Sequence, residues 1–528
     1  MRILLINPPY AASEPPRIPM GLLYIGAVLG EAGHDVKLED LLVSKPSPER
    51  IKGAIEKFDP AMVGVTSVTM NYPDASAILR YIKEISPSIK TVVGGPHATF
   101  CWEQIGKEEP WVDVVVIGEG EETARELAAT LSKGGDASKV AGIAWRNGSD
   151  GGFTLNGPRE LIEDLDSLPP PARHLFPISR YRALRMDAGL TSGRGCPFSC
   201  IFCVGPKMVG RKPRLRSPKP VVDELEDVLR MGFESIALSD DHFAMNRKHA
   251  FAVCDEIISR GVVADLNIFV RADSVDEEML SKMYAAGCRK VLFGVESGVQ
   301  EIVDRIKKRQ NLEMLREKVK LTKSMGIDVQ ASFIMGLPGE SRETLMKTFE
   351  YARTLGTFYG MHVLAPLPGS EIYEKAEEYG MTILHRDWRR YDANQAVTST
   401  KSLPAEELDR VAAEYDAWFV KMAEIEVDAD RKGQLPPEHH EMLERRRAQD
   451  FFWRLMRNDF IEDFRPSEGA RGPDAALREM AEKSAPRANA IADEAERWIG
   501  RVVDTGDLEW SAKENRFRFS EAIYPKKK

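Results

Sequence analysis

Cys196, Cys200 and Cys203 stand in one short run, Cys-Pro-Phe-Ser-Cys-Ile-Phe-Cys. Three thiolates on a single loop can hold three irons of a 4Fe-4S cluster and leave the fourth iron without a protein ligand. A structural zinc site wants a fourth Cys or His at regular spacing. None follows nearby: Cys254 falls inside a helical pattern and Cys288 follows Gly287 just before a strand. Six cysteines in 528 residues are far too few for a disulfide scaffold. Met1-Arg2 leads straight into Ile3–Ile6, too short for a signal-peptide core. No apolar run approaches the ~18 residues of a membrane span. The expected setting is cytoplasmic, where thiols stay reduced and a cysteine cluster binds metal or does catalysis.

The 73 Lys+Arg and 82 Asp+Glu leave a net charge of −9, which excludes a general basic surface and, with it, the simplest nucleic-acid partner. With 43% hydrophobic and 29% charged residues the composition is that of an ordinary folded chain.

These cysteines need elements to position them. Residues 1–140 alternate apolar runs (Ile3–Ile6, Met62–Val68, Thr91–Val93, Val114–Ile117) with helical patterns, which predicts a doubly wound, Rossmann-like parallel sheet. Ligands of such sheets bind beyond the carboxyl ends of the strands. There the sequence carries Asn7-Pro8-Pro9-Tyr10, Thr66-Ser67, Gly94-Gly95-Pro96-His97 and Gly118-Glu119-Gly120-Glu121, loops that let a large ligand approach the backbone. Residues 141–185 read as a hairpin, turning at Gly148–Gly152, and a Pro-rich linker at Leu168–Pro171. Residues 186–400 hold a second series, with strands near Gly189–Ser192, Ser235–Leu238, Asn267–Val270, Lys290–Phe293, Asp328–Ile334 and Met361–Leu364. Six βα units predict a (β/α)6 partial TIM barrel with its active site at the strand C-termini. Residues 401–528 follow helical spacing and predict an α-helical C-terminal domain. Its Arg445-Arg446-Arg447 and Phe451-Phe452-Trp453 fit either one amphipathic helix packed on the barrel or a surface for a flat ligand, a lipid or a partner.

Arg194-Gly195-Cys196-Pro197-Phe198-Ser199-Cys200-Ile201-Phe202-Cys203, after the first barrel strand, resembles the signature of radical S-adenosylmethionine (SAM) enzymes. The resemblance implies a 4Fe-4S cluster on Cys196, Cys200 and Cys203, with SAM on the open iron and a 5'-deoxyadenosyl radical as the oxidant. It implies SAM contacts at Phe202, at the acidic turn Ser239-Asp240-Asp241, at Arg271, at Glu296-Ser297 and at Leu337 in Gly336-Leu337-Pro338-Gly339-Glu340. The acidic turn departs from the family's Gly-Gly-Glu form.

Gly94-Gly95-Pro96-His97 and Gly118-Glu119-Gly120-Glu121 resemble the cobalamin-binding domain that precedes one radical SAM subfamily. The resemblance implies cobalamin contacts at Asn7, Pro8, Thr66, Ser67, Gly94–His97 and Gly118–Glu121. Asn7-Pro8-Pro9-Tyr10 replaces the Asp-x-His-x-x-Gly of methionine synthase-like domains, so the lower face of cobalt has no His from that loop. His97 is expected to touch backbone or a cofactor edge rather than cobalt. The pair of cofactors implies methylation of an unactivated carbon through methylcobalamin. The stretch Asp387-Trp388-Arg389-Arg390-Tyr391 is similar to the anaerobic Mg-protoporphyrin monomethyl ester cyclase group, which implies ring formation instead. Asp387 and Tyr391 either line the substrate pocket or pack. A third reading is a cobalamin or redox sensor without turnover. Expected partners are a small-molecule substrate, hydrophobic or tetrapyrrole-like, and an electron donor such as flavodoxin or ferredoxin.

Overall fold

The computed structural model describes residues 1–10, 16–147, 152–470 and 472–525. The first sheet has seven strands in the order β2-β1-β3-β4-β5-β6-β7: β1 (Arg2–Asn7), β2 (Asp35–Asp40), β3 (Met62–Thr66), β4 (Lys90–Gly94), β5 (Val114–Val116), β6 (Ile143–Arg146) and β7 (Phe153–Leu155). The first five pair in parallel. Ile3, Leu4, Leu5 and Ile6 are all buried, as a parallel strand covered on both faces requires. β2 was not expected. Its Asp-Val-Lys-Leu-Glu-Asp alternates charged and apolar residues, the pattern of an edge strand rather than of a continuous apolar run. Helices α1 (Met20–Glu31), α2 (Pro48–Phe58), α3 (Tyr72–Ile85), α4 (Pro96–Glu108) and α5 (Glu121–Ser132) cover the sheet. Because β1 has β2 on one side and β3 on the other, the strand order reverses there, and this is where such sheets hold ligands.

The hairpin β6–β7 adds antiparallel to β5 and so completes the first sheet; its turn, residues 148–151, lies outside the described residues. The Pro-rich linker is packed rather than free. Arg173 is buried and donates to Gly189 O (2.7 Å) and Glu224 Oε1 (2.6 Å).

The second sheet holds six parallel strands: β8 (Ala188–Leu190), then, past the short pair β9 (Gly193–Arg194) and β10 (Arg214–Leu215), β11 (Ser235–Leu238), β12 (Asp265–Val270), β13 (Cys288–Glu296), β14 (Asp328–Met335) and β15 (Phe358–Val363). Strands β8 and β11–β15 pair in chain order and leave the barrel open between β8 and β15, as six βα units imply. Helices 218–230, 247–259, 277–285, 312–324 and 342–354 alternate with these strands, as the βα series requires.

Beyond a short pair, β16 (Met381–Ile383) with β17 (Thr398–Thr400), the tail is helical over 405–431, 437–456, 473–484 and 492–504. It then ends in a hairpin, β18 (Leu508–Ser511) with β19 (Arg516–Phe519), which helical spacing did not announce. Helix 405–431 lies on the edge strand, Tyr415 OH donating to Tyr359 O at 3.1 Å. Phe451 and Phe452 are fully buried, Trp453 Nε1 donates to Leu42 O (3.2 Å), and Arg445 donates to Arg185 O (2.6 Å). The basic-aromatic stretch is therefore an amphipathic helix packed against both sheets' flanks. No helix among the described residues is long and apolar enough to cross a membrane.

Candidate active site

The cysteine loop leaves β9 and returns on β10, which pair antiparallel with Arg194 opposite Arg214. At Gly195 φ is 105° and a Cβ would stand 2.6 Å from Lys212 O, so only glycine serves there. Ile201, fully buried, anchors the loop: its N–H donates to Ile306 O (3.1 Å) and its carbonyl accepts from Ile372 N (2.9 Å). Cys196 and Cys200 are half-buried and Cys203 is exposed; none forms a disulfide. Burial pushes the half-buried Cys196 and Cys200 thiols above their ordinary value, while Lys308 and Arg271 draw Cys200 back down. Binding of iron must therefore displace protons.

The strand ends surround this loop in unequal ways. Asp241 accepts from Gly195 N (2.8 Å) and so holds the loop's entry. Asp240 is turned inward, accepting from Ser192 N (2.6 Å), the Ser192 hydroxyl and Gly193 N (3.2 Å); burial pushes its carboxyl up to about 6. Arg271 grips Asp273 bidentately, donates to Lys308 O (2.9 Å) and lies over the Phe198 ring. Glu296, at φ 70°, accepts from the Lys308 ammonium, and Gly294 leaves the room: a Cβ there would meet Glu296 Oε1 at 2.6 Å. Ser297 is buried under the site against Thr348 Oγ1 (3.1 Å). Leu337 is buried with Ile201 and Ile306, and Phe202 packs against that cluster. Glu340 caps the turn, accepting from Gly336 N (2.7 Å) and Leu337 N (3.0 Å).

A cavity of about 410 Å³ opens between the two sheets. Thr66, Gly94, Gly95, Pro96 and Gly118–Glu121 line it from the first domain; Thr191, Gly193, Arg194, Ser239 and Asp241 line it from the barrel. Ligand cavities commonly have this size and an apolar lining with a few polar groups. Its floor is apolar, from Leu5, Leu22, Met62, Val92 and Leu127. Gly21 and Gly118 leave open space where a side chain would stand, and both line the cavity.

Residues 11–128 match the B12 binding domain family and residues 190–352 the radical SAM superfamily. An uncharacterized methyltransferase of Pyrococcus horikoshii is 32% identical over 78% of this chain and 90% of its own. The anaerobic magnesium-protoporphyrin IX monomethyl ester cyclase of Rubrivivax gelatinosus is 31% identical over 80% of this chain and 78% of its own. The chain is a cobalamin-dependent radical SAM enzyme. The fold of the cobalamin-dependent radical enzyme OxsB matches this radical SAM enzyme over 97% of its chain and 82% of the OxsB chain, with a TM-score of 0.67 at 18% identity.

The cofactors of this radical SAM enzyme are a 4Fe-4S cluster, SAM and cobalamin, and the residues present fit them. The cysteine loop offers three free thiols, and among the described residues no three His, Cys, Asp or Glu side chains converge on one ion as mononuclear zinc would need. A cube takes one thiolate per iron and makes no such demand. The cradle of small turns beside an apolar floor fits a large, flat, polar-edged group.

Four of the residues expected to contact cobalamin do not line this cavity. Asn7 is buried and donates to Asp40 Oδ1 (2.8 Å) while Tyr181 OH donates to Asp40 Oδ2 (2.7 Å), so it belongs to the link between β2 and the linker. Pro8 is buried beside it and does not line the cavity. Ser67 stands behind Gly94-Gly95, its N–H and hydroxyl donating to Gly94 O at 2.9 and 3.0 Å. His97 is buried between Tyr72 (4.3 Å) and Trp388 (5.0 Å), and burial drives its imidazole down to about 3. It does not line the cavity, because α4 turns it into the core. No histidine is among the described residues that line the cavity. Asp387 is exposed and caps Arg389 N (3.3 Å), while Tyr391 is buried against Trp388 (5.0 Å) and donates to His385 O (2.8 Å). Neither lines the cavity.

The sequence reading missed Lys308, Arg214 and the α1 residues Met20, Tyr24 and Ile25 that wall the cavity. Lys308 lies in the basic run Lys307-Lys308-Arg309, whose charge was the only signal; nothing local marks Arg214.

Proposed function

We propose that this enzyme is a methyltransferase that places a methyl group on an unactivated carbon of a small, hydrophobic substrate. The observation that carries the reading is a cavity bounded both by the glycine turns of the first domain and by Ser239, Asp241 and Arg194 beside the cysteine loop. When bound, the cofactors supply one-electron cleavage chemistry and a transferable methyl group. The protein's part is position. Asp241 and Arg271 hold the cysteine loop from two strand ends, Glu296 and Lys308 form a buried ion pair beside it, and the two domains line opposite sides of the cavity. The likeness to an uncharacterized methyltransferase over nearly its whole length supports the same reading. Electrons would come from a flavodoxin or ferredoxin, in a cytoplasmic setting that suits six free cysteines.

Likeness to the cyclase at nearly equal identity favours a second reading, oxidative ring formation on a tetrapyrrole. Anaerobic reconstitution with iron, sulfide and hydroxocobalamin, followed by SAM, reductant and candidate substrates, separates the two. Methylation yields S-adenosylhomocysteine and 5'-deoxyadenosine together. Deoxyadenosine without matching S-adenosylhomocysteine means cyclisation and overturns the first reading.

A further inference from the structure

In the neck of the cysteine loop, Arg194 and Arg214 are direct cross-strand partners. Like charges so placed destabilise a ladder. Both are held by one carboxylate of the other domain. Glu119 Oε1 accepts from Arg194 Nη1 (2.9 Å) and Arg214 Nη2 (2.8 Å); Oε2 accepts from Arg214 Nη1 (2.8 Å) and Ile162 N (2.9 Å). Glu121 takes the other Arg194 nitrogen at 2.6 Å. The side chains of Glu119 and Arg214 are 6% and 2% exposed. Two carboxylates thus balance two guanidiniums in a buried clamp, and withdrawing one member of such a set strands the rest. Burial opposes ionisation of Glu119, yet the bonds from Arg214, Ile162 and Arg194 outweigh it and hold the carboxyl below its ordinary value.

The two halves of this clamp meet the same cavity. Gly118–Glu121 line it from the first domain, and Gly193 and Arg194 line it from the loop neck, two residues before Cys196. A group seated in the cavity therefore touches the turn that carries Glu119 and the strand that starts the cluster loop.

We propose that Glu119 is a positioning residue that couples the two cofactor sites, clamping the neck of the cysteine loop when the cobalamin side of the cavity is filled. A group in the cavity packs against the Gly118–Glu121 turn and so holds Glu119 between the two arginines, which steadies the strand that leads to Cys196. By reciprocity, a loaded cluster with SAM raises affinity for cobalamin. The proposal rests on the assignment of the cavity to cobalamin.

The test measures the hydroxocobalamin dissociation constant of the full chain in two states, iron-free and cluster-loaded with SAM, for wild type, Glu119→Gln and Glu119→Gln/Arg214→Gln. Wild type should bind roughly tenfold more tightly in the loaded state, within the usual range of coupling. In both variants that ratio should fall below about threefold. Iron retention during chelation should drop in Glu119→Gln and return toward wild type in the double variant, because removing one of two facing arginines relieves the repulsion. A ratio near unity in wild type, or a full ratio in either variant, overturns the proposal, as does equal iron loss in both variants. If Glu119→Gln does not fold, the charge-balanced double variant carries the ratio measurement. Failure of both wild-type states to bind hydroxocobalamin removes the cavity assignment itself, a result distinct from binding without coupling.

Discussion

The guanidinium carbon of Arg271 lies 3.8 Å from the centroid of the Phe198 ring. Arg271 follows the third barrel strand and Phe198 stands midway between Cys196 and Cys200, so the contact ties the cysteine loop to that strand's C-terminal end. Cation–π contacts contribute about 0.5–2 kcal/mol, and the Arg271 fork is further set by Asp273. Arg271→Lys keeps the charge but loses the flat face and the fork. Iron release to a chelator should quicken by roughly three- to tenfold, the equivalent of about 1 kcal/mol. An unchanged release rate would show that the contact does not hold the loop.

Cys200→Ala should abolish the 4Fe-4S absorbance and the cleavage of SAM while hydroxocobalamin still binds. Cys200 lies at the middle of the loop, away from the residues lining the cavity floor. Retained cleavage would sink the cluster assignment.

Gly95→Ala tests the cradle. Gly95 sits at φ 98° and a Cβ would collide with the Ser67 carbonyl oxygen. The conformation alone costs an L-residue about 1–2 kcal/mol, and the clash adds to it. Thermal unfolding of the variant should fall by several degrees and hydroxocobalamin affinity by at least tenfold, about 1.4 kcal/mol. Wild-type affinity in a folded variant would place the cobalamin elsewhere.

Glu340 provides a pH test. It is fully buried, Oε1 has no partner, and burial pushes its carboxyl up from 4.5 to about 8 against the two N–H groups of Gly336 and Leu337. Between these values the folded chain keeps a proton that the unfolded chain releases, so this group's contribution is full below about 4.5 and is lost as pH rises toward 8. Glu340→Gln lacks that loss. Its melting temperature relative to wild type should climb between pH 5 and pH 8; a constant difference would show that Glu340 is ionised throughout.

Much of the site was legible in sequence because its chemistry is local. The CxxxCxxC spacing needs only one loop, and the glycine turns after strands β4 and β5 line the cavity as their place in an alternating sheet requires. β2 was not legible, since an edge strand needs no apolar run. His97 misled because it follows a cofactor-type glycine turn, while the helix it opens rotates it into the core. Asp387 and Tyr391 could be read either way in the sequence: a motif names a segment, and packing decides what its side chains face, Tyr391 lying against Trp388.

By itself, the sequence marked the three cysteines of one loop, the two βα series and the turns at their strand ends, because each follows from short-range spacing and hydrophobic periodicity. Only the tertiary structure decided which of those turns share a cavity, that the tail closes with a hairpin, and that Glu119 joins Arg194 and Arg214 from 75 and 95 residues away. Such pairs leave no trace in local pattern. A carboxylate at a strand end reads alike whether it meets water, a ligand or two buried arginines, and its partners are set by how the two sheets come to face each other.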